Sequence, residues 1–519
     1  MWKLKFTASK NMDSKNWAMF FIIAFIFCSA LISRVYELDY RPMHVDEAVH
    51  AVKFGELLEK GFYKYDPIEY HGPALSYLSI IPTIFTGKTK FSELTEYDLR
   101  IIPVIAGMIL LLLILTLLKE FDYKFILLLL FLTTFSSMNL FYNRYYIQES
   151  LLVSFSFSSI ISLYHFYKSK NIFWLIGAGI FAGLAASSKE TWIITFGAAI
   201  ISLIILVRPK IKSITNIAVK NLDLFLVPFV VVVFLFYTSF LLNVSGINDF
   251  IGAFLNYFNK AGSFHEHNHA WYYYFSLVTF LNIEGFYFTE IIILILFLLG
   301  SLNIFIHWRE TNKFIRFFLL FTVFNIIIYS AIPYKTPWTM MTFWQGIIII
   351  SAYSLFELNK VLRKEIWYVI LAIFSLQQLY QAYQINYIYS FHPKNPFVYA
   401  HSTNDVKIIG SQIERIIGND ESSPLYITAP KDDYWSLPWY LRKIKNISWN
   451  DKINDDVYNF PIIISSPKFE SELIEKLYSN PPAGEINLYV PLFDEYMELR
   501  PGVEIRGYIQ KNILDRRRE

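Results

Sequence analysis

The chain has 519 residues, 55% hydrophobic and 18% aromatic, with a formal net charge of +3. A mean hydropathy of +0.37 is too high for a soluble protein of this length and points to an integral membrane protein. The near-neutral charge argues against a nucleic-acid partner, and a single cysteine, Cys28, excludes a disulfide framework or a cysteine-based metal site.

Lys3, Lys5, Lys10 and Lys15 precede the first apolar run, which ends in LISRVYELDY with no small-residue cleavage site. It reads as a retained helix rather than a signal peptide. Crossing a bilayer takes about 20 mostly apolar residues. Runs of that kind lie near 17–33, 99–118, 124–141, 149–167, 172–188, 190–207, 221–243, 288–306, 314–332, 338–357 and 365–385. The expected fold is therefore mainly α, a polytopic membrane protein of about 11 transmembrane helices. The stretch 73–86 is apolar but short and broken by Pro82, so it reads as interfacial or re-entrant.

With the N-terminus inside, the loops 119–124, 168–170, 208–220, 307–316 and 357–365 each carry at least two Lys or Arg. The opposite short connections carry one each, Arg144, Lys189 and Lys335, as the positive-inside rule requires. After residue 385 the chain turns polar, and PLYITA, FPIIISS and INLYVPLF read as short buried strands. This predicts a transmembrane domain over 1–388 and a small extracytoplasmic α/β domain over 389–519, ending in a basic, solvated KNILDRRRE tail.

The unusual polar residues fall on the outer face. In RPMHVDEAVHAVKFGELLEKG (41–61), Asp46 and Glu47 are bracketed by His44 and His50. A carboxylate near lipid has a raised pKa suited to a general base; equally, both acids suit the first turn of an amphipathic helix over 46–60. Arg144, Lys189 and Lys335, at span ends in three loops, suit a lipid-linked phosphate or simple snorkelling. HEHNH places His265, His267 and His269 at alternate positions, a spacing that on an extended segment could bind a divalent metal ion or serve as ordinary loop polarity. Trp271 and Tyr272 read either as an interfacial anchor or as a platform for a sugar ring or polyprenyl tail. His71, in YHGP, either bonds substrate or caps the segment that follows.

The acidic pair in the first outer loop resembles the GT-C membrane glycosyltransferases, such as protein O-mannosyltransferases and the lipid A aminoarabinose transferase. HVDEAVHA, YDPIEYHGP, NRYYIQES, SKET, HEHNHAWYYY, YKTPW and YWSLPWYLR together resemble most closely an archaeal and bacterial family described as flippase-activity-associated. The resemblance implies sugar transfer from a polyprenyl- or dolichyl-phosphate donor to a glycan, lipid or protein acceptor at the outer face of the cell membrane, with inversion. It makes Asp46 or Glu47 the base and places Arg144, Lys189 and Lys335 on the donor phosphate, with His71, Glu190, Trp271 and Tyr272 lining the substrate site. Where mannosyltransferases carry an Asp shortly after the loop-two Arg, this chain has Gln148-Glu149, so Glu149 stands in that place. The family's description implies a second reading, an accessory protein or translocator for lipid-linked glycans.

Overall fold

The computed structural model describes residues 14–68, 71–207, 221–261, 267–418, 424–479 and 487–516. Every apolar run named above falls on a helix: α1 (Ser14–Val35), α4 (Glu96–Thr116), α5 (Tyr123–Phe135), α7 (Gln148–Ser169), α8 (Ile172–Ala186), α9 (Trp192–Val207), α10 (Asp223–Tyr237), α13 (Ile291–Ile306), α14 (Lys313–Ala331), α15 (Met341–Val361) and α16 (Lys364–Tyr383). Among the described residues, 5 helices are long and apolar enough to cross a membrane: Trp17–Val35, Glu96–Lys119, Gln148–Ser169, Lys313–Ala331 and Pro337–Val361. Apolar helices of 10–17 residues include α5, α8, α9, α10 and α13. Large apolar side chains such as Phe25, Phe173, Leu298 and Ile373 are exposed on these helices, as a lipid-facing surface requires. The window on α7 reaches a hydropathy of only 1.2 because its serines lie inside the bundle, where 78% of the window is buried.

Three boundaries differ from the sequence reading. The run 124–141 is broken at Ser136, which ends α5 and starts the short α6 (Ser137–Tyr142). The run 221–243 stops at Tyr237, and Ser239, Phe240 and Leu241 take positive φ. A two-stranded hairpin, β1 (Leu281–Ile283) and β2 (Phe286–Phe288), precedes α13. The stretch after Pro73 forms α3 (Ala74–Thr86), whose 13 residues rise about 20 Å, short of a hydrocarbon core of about 30 Å. Close helix packing has a local cause in α8: a Cβ on Gly179 would meet the Phe225 carbonyl oxygen of α10 at 2.3 Å.

The helical part ends in a π-helical turn, Gln384–Ile388. Beyond it, α17 (Asp405–Ile417) lies beside a six-stranded sheet in the order β4-β3-β5-β8-β6, with β7 on β8. β3 (Leu425–Thr428) runs parallel to β4 (Ile447–Asn450) and β5 (Ile462–Ser465), and β8 (Val503–Gln510) is antiparallel to β5, β6 (Tyr489–Pro491) and β7 (Met497–Arg500). β3 and β5 are buried at every position, which is why they read as uninterrupted apolar runs. The strands β4, β7 and β8 lie outside the runs expected as strands. One apolar core joins this sheet to α2 (Val45–Lys60) and α4, with Phe54, Leu99, Ile413, Ile427 and Trp439 in the same cluster.

Candidate active site at the converging loops

α2 begins with a capping box in which His44, not an acid, is the cap. The Asp46 N–H donates to His44 Nδ1 (2.9 Å), and the His44 N–H donates to Glu47 Oε2 (3.1 Å). With Nδ1 accepting, the other ring nitrogen carries the proton and donates to the Tyr399 carbonyl (2.8 Å). Burial holds His44 below its ordinary pKa, so the cap is a neutral imidazole of fixed tautomer. At the other end, Gly61 closes the helix in the left-handed region.

The two acids in this first turn have different surroundings. Glu47 is fully buried and accepts four hydrogen bonds: from Arg100 Nε (2.8 Å) and Nη2 (2.7 Å), the Tyr146 N–H (2.8 Å) and the His44 N–H. Burial alone would raise its pKa, but Arg100 outweighs that and holds it below the usual carboxylate range. The expected raised pKa therefore does not apply to Glu47, which ties α2 to α4 and to the second outer loop. Asp46 has a side chain 44% exposed, 3.9 Å from His44 Nδ1. Among the described residues its carboxylate accepts no hydrogen bond. Of the pair, Asp46 is the acid free to take a proton.

Around Asp46 the third and second outer loops supply charge. Lys189 and Glu149 form a nearly buried ion pair. His71 Nδ1 lies 3.0 Å from Glu190 Oε2, and Glu190 Oε1 accepts the Tyr65 hydroxyl (2.7 Å). His50 is buried beside them, its ring 6.4 Å from that of His71 and its Nδ1 3.4 Å from Gln148 Nε2. Burial, helped by smaller effects of His71 and Lys189, outweighs the pull of Asp46 and takes His50 down to about 3. The first and third loops meet without a gap: the Ala74 N–H donates to the Ser187 carbonyl (2.8 Å), and a Cβ on Gly72 would lie 2.3 Å from that oxygen.

The fourth and fifth loops pair as a short antiparallel bridge, Asn268 with Tyr334. This sets Tyr334 facing both Asp46 and Glu149, and burial together with those two charges pushes its phenol up to about 12. His267 Nδ1 lies 2.5 Å from the Tyr399 hydroxyl, and His401 stacks on Tyr145 with ring centres 5.3 Å apart. The expected outer-face loops thus come together in space around Asp46.

Four expected site residues point elsewhere. Arg144 donates to the carbonyls of Tyr36 (2.8 Å) and Glu37 (3.0 Å) and lies 4.4 Å over the Tyr387 ring, so it braces the end of α1 rather than the Lys189 group. Lys335 donates to the carbonyls of His269 (3.1 Å) and Ile332, holding the fourth and fifth loops together; burial pulls its pKa down. Trp271 and Tyr272 are 68% and 54% exposed, which fits an interfacial anchor. For the metal expectation, His265 lies outside the described residues. His269 stacks on Tyr273 at 4.1 Å, and no group of three His, Cys, Asp or Glu side chains among the described residues is arranged to hold a metal ion.

Sequence reasoning missed Arg100, Tyr399, His401 and Tyr334. Arg100 carried a usable signal, a charge inside the expected span 99–118, where an ionisable residue needs a partner.

Residues 24–243 match the family model for dolichyl-phosphate-mannose-protein mannosyltransferase. No curated protein matches the chain in sequence. In structure it is similar to ArnT from Cupriavidus metallidurans in the apo state, with a TM-score of 0.66 at 12% identity over 95% of this chain and 98% of that one. The same protein bound to undecaprenyl phosphate gives 0.61 at 13% identity, over 95% and 98%. The apo oligosaccharyltransferase of Archaeoglobus fulgidus gives 0.55 at 13% identity, over 89% of this chain and 71% of that chain. The fold is that of the GT-C membrane glycosyltransferases.

Proposed function

We propose that the chain transfers a sugar from a polyprenyl- or dolichyl-phosphate donor to an acceptor hydroxyl or amine at the outer face of the cell membrane. The membrane domain over 1–388 crosses about 11 times on this reading, and the domain over 389–519 is extracytoplasmic. The observation that carries the proposal is the division of labour between adjacent acids: Glu47 is saturated by four donors, whereas Asp46 keeps its carboxylate open and shares His50 as an electrostatic neighbour with His71 and Lys189. Asp46 removes the acceptor proton as the acceptor atom bonds to the sugar C1. The bond from C1 to the phosphate oxygen breaks, the polyprenyl phosphate leaves, and single displacement inverts the anomeric centre. Lys189 exchanges Glu149 for the donor phosphate and neutralises its charge, with His71 alongside. Arg144 and Lys335 hold backbone and stand outside this set. Two described histidines do not complete a metal set, and no step is routed through a metal.

The test is transfer from labelled polyprenyl-phosphate sugars to a panel of acceptors by the purified full chain. Asp46→Asn should lower kcat by about 100-fold or more with the fold intact. Glu284→Gln, an exposed acid paired with His392 away from the cluster, should leave transfer unchanged. Absence of transfer with every donor, or an Asp46→Asn variant of full activity, would overturn the reading.

A further inference from the structure

At the outer corner where α1, α6 and α16 end, a narrow recess is lined by Glu37, Tyr40, Arg41, Arg144, Asn386 and Ser390, among others. None of its lining residues takes part in the proposed transfer. Arg41 Nη2 donates to the Arg144 carbonyl (2.8 Å), and its guanidinium lies 4.4 Å from the Phe141 ring centre and 4.8 Å from that of Tyr145. Arg34 is fully buried just below, donating from Nε to Asn143 Oδ1 (3.1 Å) and from Nη1 to the Ala30 carbonyl. Three guanidiniums therefore share one buried corner. Among the described residues no carboxylate forms an ion pair with any of them, because Glu47 is taken by Arg100.

Buried charge without a counter-charge is costly, and here the polar walls are incomplete as well. Arg41 Nε, Ser390 Oγ and Asn386 Oδ1 are buried with no hydrogen-bond partner among the described residues. Two of these are donors and one an acceptor, which suits a phosphate that bears a hydroxyl-rich substituent. Among the described residues Glu37 is the only acid on the wall, so the cationic groups outnumber it. The recess lies among aromatic side chains typical of the headgroup level of a bilayer. Tyr36, Tyr40 and Tyr383 are exposed, and the ring pairs Tyr36–Tyr387 and Tyr40–Phe391 each have centres 5.9 Å apart.

We infer that this corner binds the phosphate of an anionic membrane lipid with a hydroxylated headgroup, at a site separate from the Asp46–Lys189 cluster. A phosphate oxygen takes the free Arg41 Nε–H and the Ser390 hydroxyl. A headgroup hydroxyl donates to Asn386 Oδ1. The acyl chains lie along the exposed apolar surfaces of α1 and α16.

The probes are phosphatidylglycerol, phosphatidylcholine and inorganic phosphate, titrated onto the delipidated full chain and followed by native mass spectrometry and thermal shift. Phosphatidylglycerol should be retained about tenfold or more over phosphatidylcholine, the ratio expected of one charge-assisted hydrogen bond, and should raise Tm. Ser390→Glu, which sets a carboxylate on the wall, should abolish the preference, and Ser390→Gln, bulky and uncharged, should weaken it. Lys189→Met should leave it unchanged. Equal retention of the two lipids by the wild type would overturn the site, as would a preference that survives both Ser390 variants. Loss of the preference in Lys189→Met would overturn its separateness, and protection by inorganic phosphate equal to that by lipid would overturn the lipid source. Binding is read without turnover, so this outcome is independent of the transfer assay.

Discussion

Glu47 and Asp46 should separate cleanly in a pair of conservative substitutions. Glu47→Gln leaves Arg100 buried with its charge unpaired, and breaking a buried ion pair in this way costs about 3–5 kcal/mol, so Tm should fall sharply. Asp46→Asn removes only a half-exposed first-turn charge and should shift stability by about 0.3–1 kcal/mol. Thermal unfolding of the two variants checks this, and an equal loss in both would contradict the assignment of Glu47 as a brace. The histidines add a pH dependence of defined sign. Burial keeps His44 and His401 below their ordinary pKa and takes His50 down to about 3. An unfolded chain protonates these rings near about pH 6.5, whereas the folded chain does not, so the unfolded state binds more protons and stability falls as pH drops. The loss begins near about pH 6.5 and continues toward about pH 3, at up to about 1.4 kcal/mol per pH unit for each ring. Glu47, depressed by Arg100, acts in the same direction, since its contribution is lost as pH falls through its folded pKa. Tm measured from about pH 7.5 to about pH 5 should decline, and replacing His50 by Asn should flatten the decline; a flat profile in the wild type would remove buried neutral histidines from the account.

The start of α2 is held largely by chain from far downstream. The Met43 N–H donates to the Tyr440 hydroxyl (2.7 Å), the His44 ring donates to the Tyr399 carbonyl, and Lys407 donates to the carbonyls of Asp39 (2.9 Å) and Tyr40 (2.6 Å). Trp439 Nε1 donates to Glu96 (2.9 Å), and Arg442, 3.9 Å over the Trp439 ring, donates to the Leu94 carbonyl. Tyr440→Phe leaves the buried Met43 N–H without its partner and should cost about 1–3 kcal/mol. Because the loss falls at the helix that carries Asp46, amide exchange over Met43–Glu47 should rise more than over α17; equal exchange in both would show that Tyr440 does not hold this turn. These contacts also explain what the sequence could and could not convey. Helices α1, α4, α7, α14 and α15 were legible because 18 or more apolar residues leave few other readings, and β3 and β5 because both faces are buried. β8 was not, because Gly507 takes the inward position between Ile505 and Ile509 and leaves a gap in the apolar row. Asp46 was legible as a polar outlier beside a span. Its neighbour's partner Tyr399 was not, because no local pattern links His44 to a residue 355 positions away. The directions of Arg144 and Lys335 were not legible for a related reason: position at a span end fixes depth, whereas direction depends on which carbonyls lie within reach.

At the scale of the whole molecule, the connections expected on one membrane face converge on α2, and the C-terminal sheet packs on that same face through a shared apolar core. On the outer-face reading, the sheet domain and the Asp46 cluster lie on the side of the membrane opposite the Lys-rich loops. The chain's single cysteine makes this directly measurable. Cys28 sits on α1, exposed toward lipid, where a charged maleimide has no aqueous approach. In a Cys28→Ser background, Asp451→Cys adds a thiol at an exposed position just after β4, and Glu365→Cys adds one at the exposed start of α16. A membrane-impermeant maleimide applied to intact cells should label position 451 and leave position 365 untouched until the cells are opened. Each substitution is on the surface, away from buried pairs, so stability should change by less than about 0.5 kcal/mol. The reverse labelling pattern would invert the membrane topology and move the Asp46 cluster to the cytoplasmic face. Labelling of both positions in intact cells would mean an even number of crossings between the start of α16 and the sheet domain, whereas among the described residues α16 carries the one expected span between them and is followed by the π-helical turn and a polar linker.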